Sequence, residues 1–375
     1  MHAHSVARTL AAASLAAAFA GCAGGSRLTP AGTAAQGALH ASSSSAAVMQ
    51  PGQKMGSFAS DLLNRRAAVA RSLRTAGTGT FAALRPQPAL EPGKPLPSWE
   101  IVSDEGGGDL YVVDDTGYAV ASCTGCAGWG VAVNKKNNDL AVGTQNGTVT
   151  VYHRNAQTYF TQYATLDLGS DNEPIGLAYD AKGGLYVSDL ASNEIQYFTA
   201  QTIANGGGSA NETLYPPDFY QVYFLACDGD TLIADGVTGA PRIIVATVKN
   251  TKKGATDDVV QAWDYGTVFP GGIAVDKNHN LIFDNQFGTI SIFKKPWDFP
   301  ATTTWNWGLS DSGYIDYTDL ALSKDQTWIY FANDLDFGYF ADIVTSYYSP
   351  LGWYGSSQNF TPGELIGIAV DPAAP

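Results

Sequence analysis

Five side chains with carboxylate or amide oxygens recur at one kind of place in this chain. Asp114, Asp189, Asp235, Asp284 and Asn333 each close a short apolar run ("LYVVD", "LYVSD", "LIAD", "LIFD", "IYFAN"), and the matching run "DLAVG" ends in Gly143. Equivalent placement predicts a ring of oxygen-bearing groups at one level of the fold. An Asp at a strand end also has a structural task, accepting backbone N–H groups from the turn that follows. Histidines are scarce: after residue 97 there are only His153 and His279, at different points of the pattern, which argues against a shared zinc site. No local motif supports Ser/His/Asp catalysis. In "CTGC", Cys123 and Cys126 sit at a β-turn, where an exported protein would form a local disulfide, and Cys227 reads as a small buried apolar residue. Residues 293–360 hold 18 aromatics in 68 positions, against 11% of the whole chain. Most should fill gaps between packed sheets, while Trp297, Trp305 and Trp307 in "KKPWDFPATTTWNWG" are candidates for a binding face.

The elements that must position these groups repeat. "GVAVN", "GLAYD", "FLACD", "GIAVD", "DLALS" and a second "GIAVD" place Ala132, Ala178, Ala226, Ala274, Ala321 and Ala369 at spacings of 46, 48, 48, 47 and 48 residues. Each of the first five copies is followed by a turn, a second strand and a third, as in "TVTVYH", "EIQYF" and "TISIF". Alternating β-branched strands joined by Gly, Asn and Asp turns make antiparallel meanders. A period near 47 suits a four-stranded propeller blade. Residues 98–375 number 278, so the expected fold is all-β: a six-bladed β-propeller of four-stranded antiparallel blades, its ring closed by joining the N- and C-terminal segments. Trp99 to Asp104 and Ile366 to Asp371 both resemble innermost strands, and the C-terminal copy, with its Ala369, is the expected inner one.

"GLAYDAKGGLYVSDLASNEIQYF" resembles an NHL repeat, and residues 98–375 as a whole are similar to the NHL and gluconolactonase-like propeller superfamily. That superfamily includes lactonases, lyases and pure binding modules, so the likeness speaks to architecture before activity. The gluconolactonase-like resemblance implies a divalent cation near the channel mouth, held by Glu, Asn and Asp from different blades. Oxygen ligands would suit Ca²⁺ or Mg²⁺, which could polarise a lactone carbonyl. The places to look are "FDNQFG" (Asp284, Asn285) and "FANDLD" (Asn333, Asp334, Asp336). No Glu follows that pattern; Glu100, Glu105 and Glu173 are loosely placed.

The beginning of the chain reads differently. Residues 1–21 have the form of a signal peptide, with an apolar run from Thr9 to Ala20 too short to span a membrane. "FAGC" resembles a lipobox that would put a lipid on Cys22, with simple secretion to the exterior or periplasm as the alternative. Residues 22–97 are rich in Ala, Ser, Gly and Pro and read as a disordered spacer, with one weakly amphipathic stretch at 57–73. Charge divides with the composition. Residues 1–97 carry 9 Lys/Arg against 2 Asp/Glu, and residues 98–375 carry 12 against 33. A domain this acidic excludes nucleic-acid binding, and a basic spacer is compatible with anionic headgroups. The expected protein is a monomer tethered to the cell envelope, touching the membrane only through the lipid, and binding a protein, peptide or saccharide. No cofactor is required by that reading. A divalent-metal-dependent lactonase is the second reading, and a structural envelope component the third.

Overall fold

The computed structural model describes residues 99–104, 108–113, 119–153, 160–169, 172–190, 192–238, 242–251, 253–264, 270–284, 289–297, 303–306, 317–326, 328–333, 339–344, 347–349 and 365–371, all in one compact unit of the chain. The signal, Cys22, the spacer and the 57–73 stretch lie outside them, as do Glu105, Asp114, Asn285, Trp307, Asp334 and Asp336.

The strands follow the repeat. β1 (Trp99–Asp104), β2 (Asp109–Val113) and β3 (Ala119–Cys123) come first, then β4 (Val131–Val133), β5 (Leu140–Gly143), β6 (Thr148–His153) and β7 (Thr161–Asp167). The next repeat gives β8 (Pro174–Tyr179), β9 (Leu185–Asp189) and β10 (Ile195–Phe198). A short helix α1 (Ala200–Ala204) follows, capped by the Thr199 side chain, then β11 (Gly207–Ser209) and β12 (Glu212–Leu214). β13 (Gln221–Asp228), β14 (Thr231–Val237), β15 (Arg242–Thr251) and β16 (Gly254–Asp264) form a regular meander. β17 (Ile273–Val275), β18 (Leu281–Asp284), β19 (Thr289–Phe293) and β20 (Thr303–Asn306) form another. β21 (Tyr317–Leu322), β22 (Trp328–Asn333), β23 (Tyr339–Val344), β24 (Tyr347–Ser349) and β25 (Leu365–Asp371) complete the chain.

These strands pair into six small sheets in a propeller arrangement. Sheet 1 is β25-β1-β2-β3, and sheet 2 is β4-β5-β6-β7 with β11 added in parallel to β7. Sheet 3 is β8-β9-β10-β12; sheets 4, 5 and 6 are β13–β16, β17–β20 and β21–β24. The edge strand that begins each meander lies against its counterpart in the next sheet: β25 by β4, β4 by β8, β8 by β13, β13 by β17, β17 by β21, and β21 back to β25. The C-terminal copy therefore takes the inner place of sheet 1, and β1 is second. This corrects one expectation: "DLYVV" (β2) is a third strand, because β25 displaces β1 and β2 outward by one place.

Four inner strands carry Gly at the same point, Gly130, Gly176, Gly272 and Gly367, and the closeness of the next sheet explains why. A Cβ on Gly176 would lie 2.2 Å from the Tyr223 carbonyl oxygen, and one on Gly272 would lie 2.1 Å from the Leu320 nitrogen. Only glycine permits that approach. The apolar core occupies the seams between sheets. Leu166, Val149 and Val151 meet Leu177, Val187 and Phe198 between sheets 2 and 3, and Ala178 packs with Val222 and Leu225 between sheets 3 and 4. The repeated small Ala faces a neighbouring sheet, where a larger side chain would force the seam apart.

Candidate functional site

Register decides which repeated groups share a level. Val187 lies opposite Leu177, Ala234 opposite Leu225, Phe283 opposite Ile273, Val102 opposite Ile368, Val142 opposite Val131, and Phe331 opposite Leu320. The residue that follows each of these is Ser188, Asp235, Asp284, Ser103, Gly143 and Ala332. That column, not the expected ring, is the equivalent set. Asp189 and Asn333 fall one residue further along, and the pleat sends successive side chains to opposite faces. Matching the strings by their last acidic residue misaligned them by one. Two carboxylates share the level, Asp235 and Asp284 on adjacent sheets, and both are fully buried.

The column carries out one task by several means. In sheet 1, Ser103 Oγ accepts the Gly367 N–H at 2.9 Å and donates to the Trp129 carbonyl of sheet 2. In sheet 3, Ser188 Oγ accepts the Gly176 N–H at 2.9 Å and donates to the Tyr223 carbonyl of sheet 4. Gly143 has no side chain, and there the Gly130 N–H reaches the Pro174 carbonyl of sheet 3 directly, at 3.2 Å. In sheet 4, Asp235 Oδ1 accepts the Phe224 N–H at 2.6 Å. Between sheets 6 and 1 the task moves to the inner strand, where Asp319 Oδ2 accepts the Ile368 N–H at 3.2 Å and Oδ1 the Leu320 N–H at 2.8 Å. Each device satisfies buried backbone groups of the inner strands, which would otherwise be costly.

Electrostatics sets these acids apart. Burial, opposed by the Phe224 N–H and reinforced by the charges of Asp319 and Asp284, raises the Asp235 carboxyl well above the usual carboxylate range. Burial likewise pushes Asp319 up to about 8, against the two backbone N–H groups that bind it. Asp189 sits apart from them, its Oδ1 accepting the Glu173 N–H at 2.8 Å. Glu173 therefore enters through its backbone. Glu100 is elsewhere on β1, fully buried, with neither carboxyl oxygen hydrogen-bonded, and burial raises it well above its ordinary value.

Among the described residues no three His, Cys, Asp or Glu side chains converge as metal ligands, and the oxygens of Asp319 and one of Asp235 are already held by backbone N–H groups. Of the residues to which the resemblance pointed, Asp284 ends β18, fully buried, and Asn333 ends β22; Asn285 and Asp334 lie outside the described residues.

The histidines each meet one carboxylate. His153 Nδ1 lies 2.5 Å from Asp139 Oδ1, and Asn137 donates to Asp139 Oδ2 at 2.6 Å. His279 Nδ1 lies 2.6 Å from Asp228 Oδ1, while Lys295 Nζ donates to Oδ2 at 2.6 Å. Burial raises the Asp228 carboxyl, but the bonds from Lys295 and His279 outweigh it and hold it below its usual range. Trp297 is buried, with Nε1 donating to the His279 carbonyl at 2.8 Å and Lys295 5.4 Å from its ring centroid. It supports a turn and is not a free binding aromatic. Trp305 lies on β20. The Asp228 cluster escaped sequence reading because its members are 51 and 67 residues apart in the chain. The acids that hold turns are those ending "GLAYD" and the first "GIAVD": Asp180 Oδ1 accepts the N–H groups of Lys182 and Gly184, and Asp276 Oδ1 those of Asn278 and Asn280. The Cys123 and Cys126 Cα atoms are 5.6 Å apart with their sulfurs in contact. Cys227 is partly exposed, and burial of its sulfur, followed by the nearby Asp180, Asp230 and Asp228, raises its thiol pKa.

No protein-family profile matches the chain, and no curated protein matches it. Among solved structures it is similar to a protein of unknown function from Bacteroides caccae, crystallised at 1.35 Å resolution. The TM-score is 0.52 at 10% identity, over 74% of this chain and 99% of that one. At that identity the likeness establishes a shared fold and nothing further.

Proposed function

We propose that residues 98–375 form a six-bladed propeller of the NHL and gluconolactonase-like type, exported and held at the cell envelope by a lipid on Cys22, that binds a protein, peptide or saccharide without transforming it. Six sheets whose inner strands adjoin in a cycle support the blade number. Contact between the sulfurs of Cys123 and Cys126 supports a local disulfide in sheet 1. The observation that carries the non-catalytic reading is how the repeated carboxylates are used. Asp235 and Asp284 are closed off from solvent, and Asp235 and Asp319 bind backbone N–H groups of the inner strands. Carboxyls closed off from solvent or committed to inner-strand backbone groups are poorly placed to act as general base or metal ligand to a substrate in the channel.

The test is hydrolysis of aliphatic and aromatic lactones by the purified chain with added Ca²⁺ or Mg²⁺. Turnover should stay at background, and Asp284→Asn should change neither turnover nor cation binding. Stoichiometric calcium that is lost together with lactone hydrolysis in both Asp284→Asn and Asn333→Ala would establish the metal-dependent lactonase in its place.

A further inference from the structure

At three seams an inner-strand N–H of one sheet is connected to a backbone carbonyl of the next, directly from Gly130 to Pro174 and through a serine at the other two. A serine hydroxyl does both halves, accepting with its oxygen and donating with its proton. Ser103 connects Gly367 to Trp129, and Ser188 connects Gly176 to Tyr223. The carbonyl in each case belongs to the residue just before the opening position of the next inner strand, Trp129 before Gly130 and Tyr223 before Phe224. Between sheets 4 and 5 the corresponding carbonyl is that of Gly271, which precedes Gly272 and is buried. Asp235 stands at the serine position. On β14 it shares a face with Ile233 and Val237, which pack with Ile273, Leu281 and Phe283 of sheet 5. Its Oδ1 performs the accepting half with Phe224. Its Oδ2 is buried and meets no donor. An ionised carboxylate can only accept, so facing a carbonyl it would leave two buried acceptors opposed; a protonated one donates.

We propose that Asp235 is kept as a neutral carboxylic acid whose Oδ2–H donates to the Gly271 carbonyl, making the seam between sheets 4 and 5 a proton-dependent latch. The surroundings favour the neutral form. The ionisable groups that bear on it are Asp319 of β21 and Asp284 of β18, both acids. Within its own sheet, β13 sets Phe224 and β15 sets Val245 beside it, neither ionisable. Loss of the proton would place a negative charge beside two other buried acids and break the connection to sheet 5, loosening this seam while the serine seams stay closed. Rising pH is therefore the signal, and the sheet 4–5 boundary is where the ring yields first.

The experiment is thermal unfolding of the full chain from pH 5 to pH 9 as wild type, Asp235→Asn, Asp235→Ser and Asp235→Ala. Asn and Ser each supply an acceptor and a donor without a titrating proton. Both should melt near wild type at pH 5 and above it at pH 9, by at least about 2 °C for a domain of this size, whereas Ala should melt lower than wild type at pH 5. A difference between wild type and Asp235→Asn that is constant across the range, or an Asn variant as unstable at pH 5 as Ala, overturns the proposal. Should the Asp235 variants not fold, Asp319→Asn/Asp284→Asn chain labelled with ¹³C in Asp isolates the group by infrared spectroscopy. A protonated-Asp carbonyl band at pH 7 is the expected result, and its absence refutes the latch.

Discussion

Glu100 occupies a place that the other five sheets give to Leu140, Leu185, Leu232, Leu281 and Ile329, each opposite the fourth residue of its "GIAV"-like strand. All six are fully buried or nearly so. A carboxyl there is the wrong chemistry for its neighbours, because it is removed from water and neither oxygen gains a hydrogen bond. The folded chain responds by holding the proton, so Glu100 is raised well above its ordinary value. The consequence has a definite sign. Stability associated with a raised acid is fully present below the unfolded value of about 4.3 and is lost as pH rises through the folded one. Glu100→Leu should therefore stabilise the protein, by about 1–3 kcal/mol near pH 5, and by more as pH rises. Glu100→Gln removes the titration and leaves an unsatisfied amide, so its gain should be smaller. Urea unfolding at pH 5 and pH 8 measures both. A Leu variant less stable than wild type at either pH would mean that Glu100 has a partner in solution that its burial between Val113 and Val370 does not provide.

At the scale of the element, β25 closes the ring. It pairs with β1 from Trp99–Asp371 to Asp104–Leu365 and adjoins both β21 and β4. Ile366 and Ile368 are almost completely buried, each worth roughly 1.5–3 kcal/mol of apolar burial. Ending the chain after Pro362 removes both, opens a sheet edge on β1 and breaks the cycle of inner strands. Set against a typical net stability of about 5–15 kcal/mol, that loss should abolish cooperative melting followed by circular dichroism; a truncated chain melting as sharply and as high as the full one would show that β25 is not what closes the ring. The inner role of β25 was legible in the sequence, because "GIAVD" repeats the phrase that begins at Gly272 and places Ala369 in step. Register within the second strands was not. "LYVSD" and "LIFD" both end in Asp, yet Ser188, not Asp189, stands at the position of Asp284: Leu185 and Leu281 hold the same place in their sheets, and "LYVSD" runs one residue further from that Leu to its Asp. The seam acids were visible as residues and invisible as a set, since what groups Asp235, Asp284 and Asp319 is contact between sheets, not spacing along the chain.

At the scale of the whole molecule the two halves of the sequence make opposite physical demands. Residues 98–375 carry 33 Asp/Glu against 12 Lys/Arg, and residues 1–97 carry 9 Lys/Arg against 2 Asp/Glu. An acidic propeller placed against an anionic membrane is repelled by it, whereas a basic spacer is attracted at about 1 kcal/mol per cationic residue near the surface. Such a spacer holds poorly on its own once salt screens it, so attachment that survives salt must come from lipid, at about 0.8 kcal/mol per buried CH₂. Together the two signals give stable attachment. The proposed lipid on Cys22 and the proposed basic spacer behind it are therefore complementary. The expected outcome is that Cys22→Ser moves the protein from the membrane fraction to the soluble one, and that wild type stays bound when salt is raised. Metabolic labelling with a fatty acid should mark wild type alone. Label that persists in Cys22→Ser would place the anchor elsewhere, and wild type released by salt alone would reduce the attachment to the charge of the spacer.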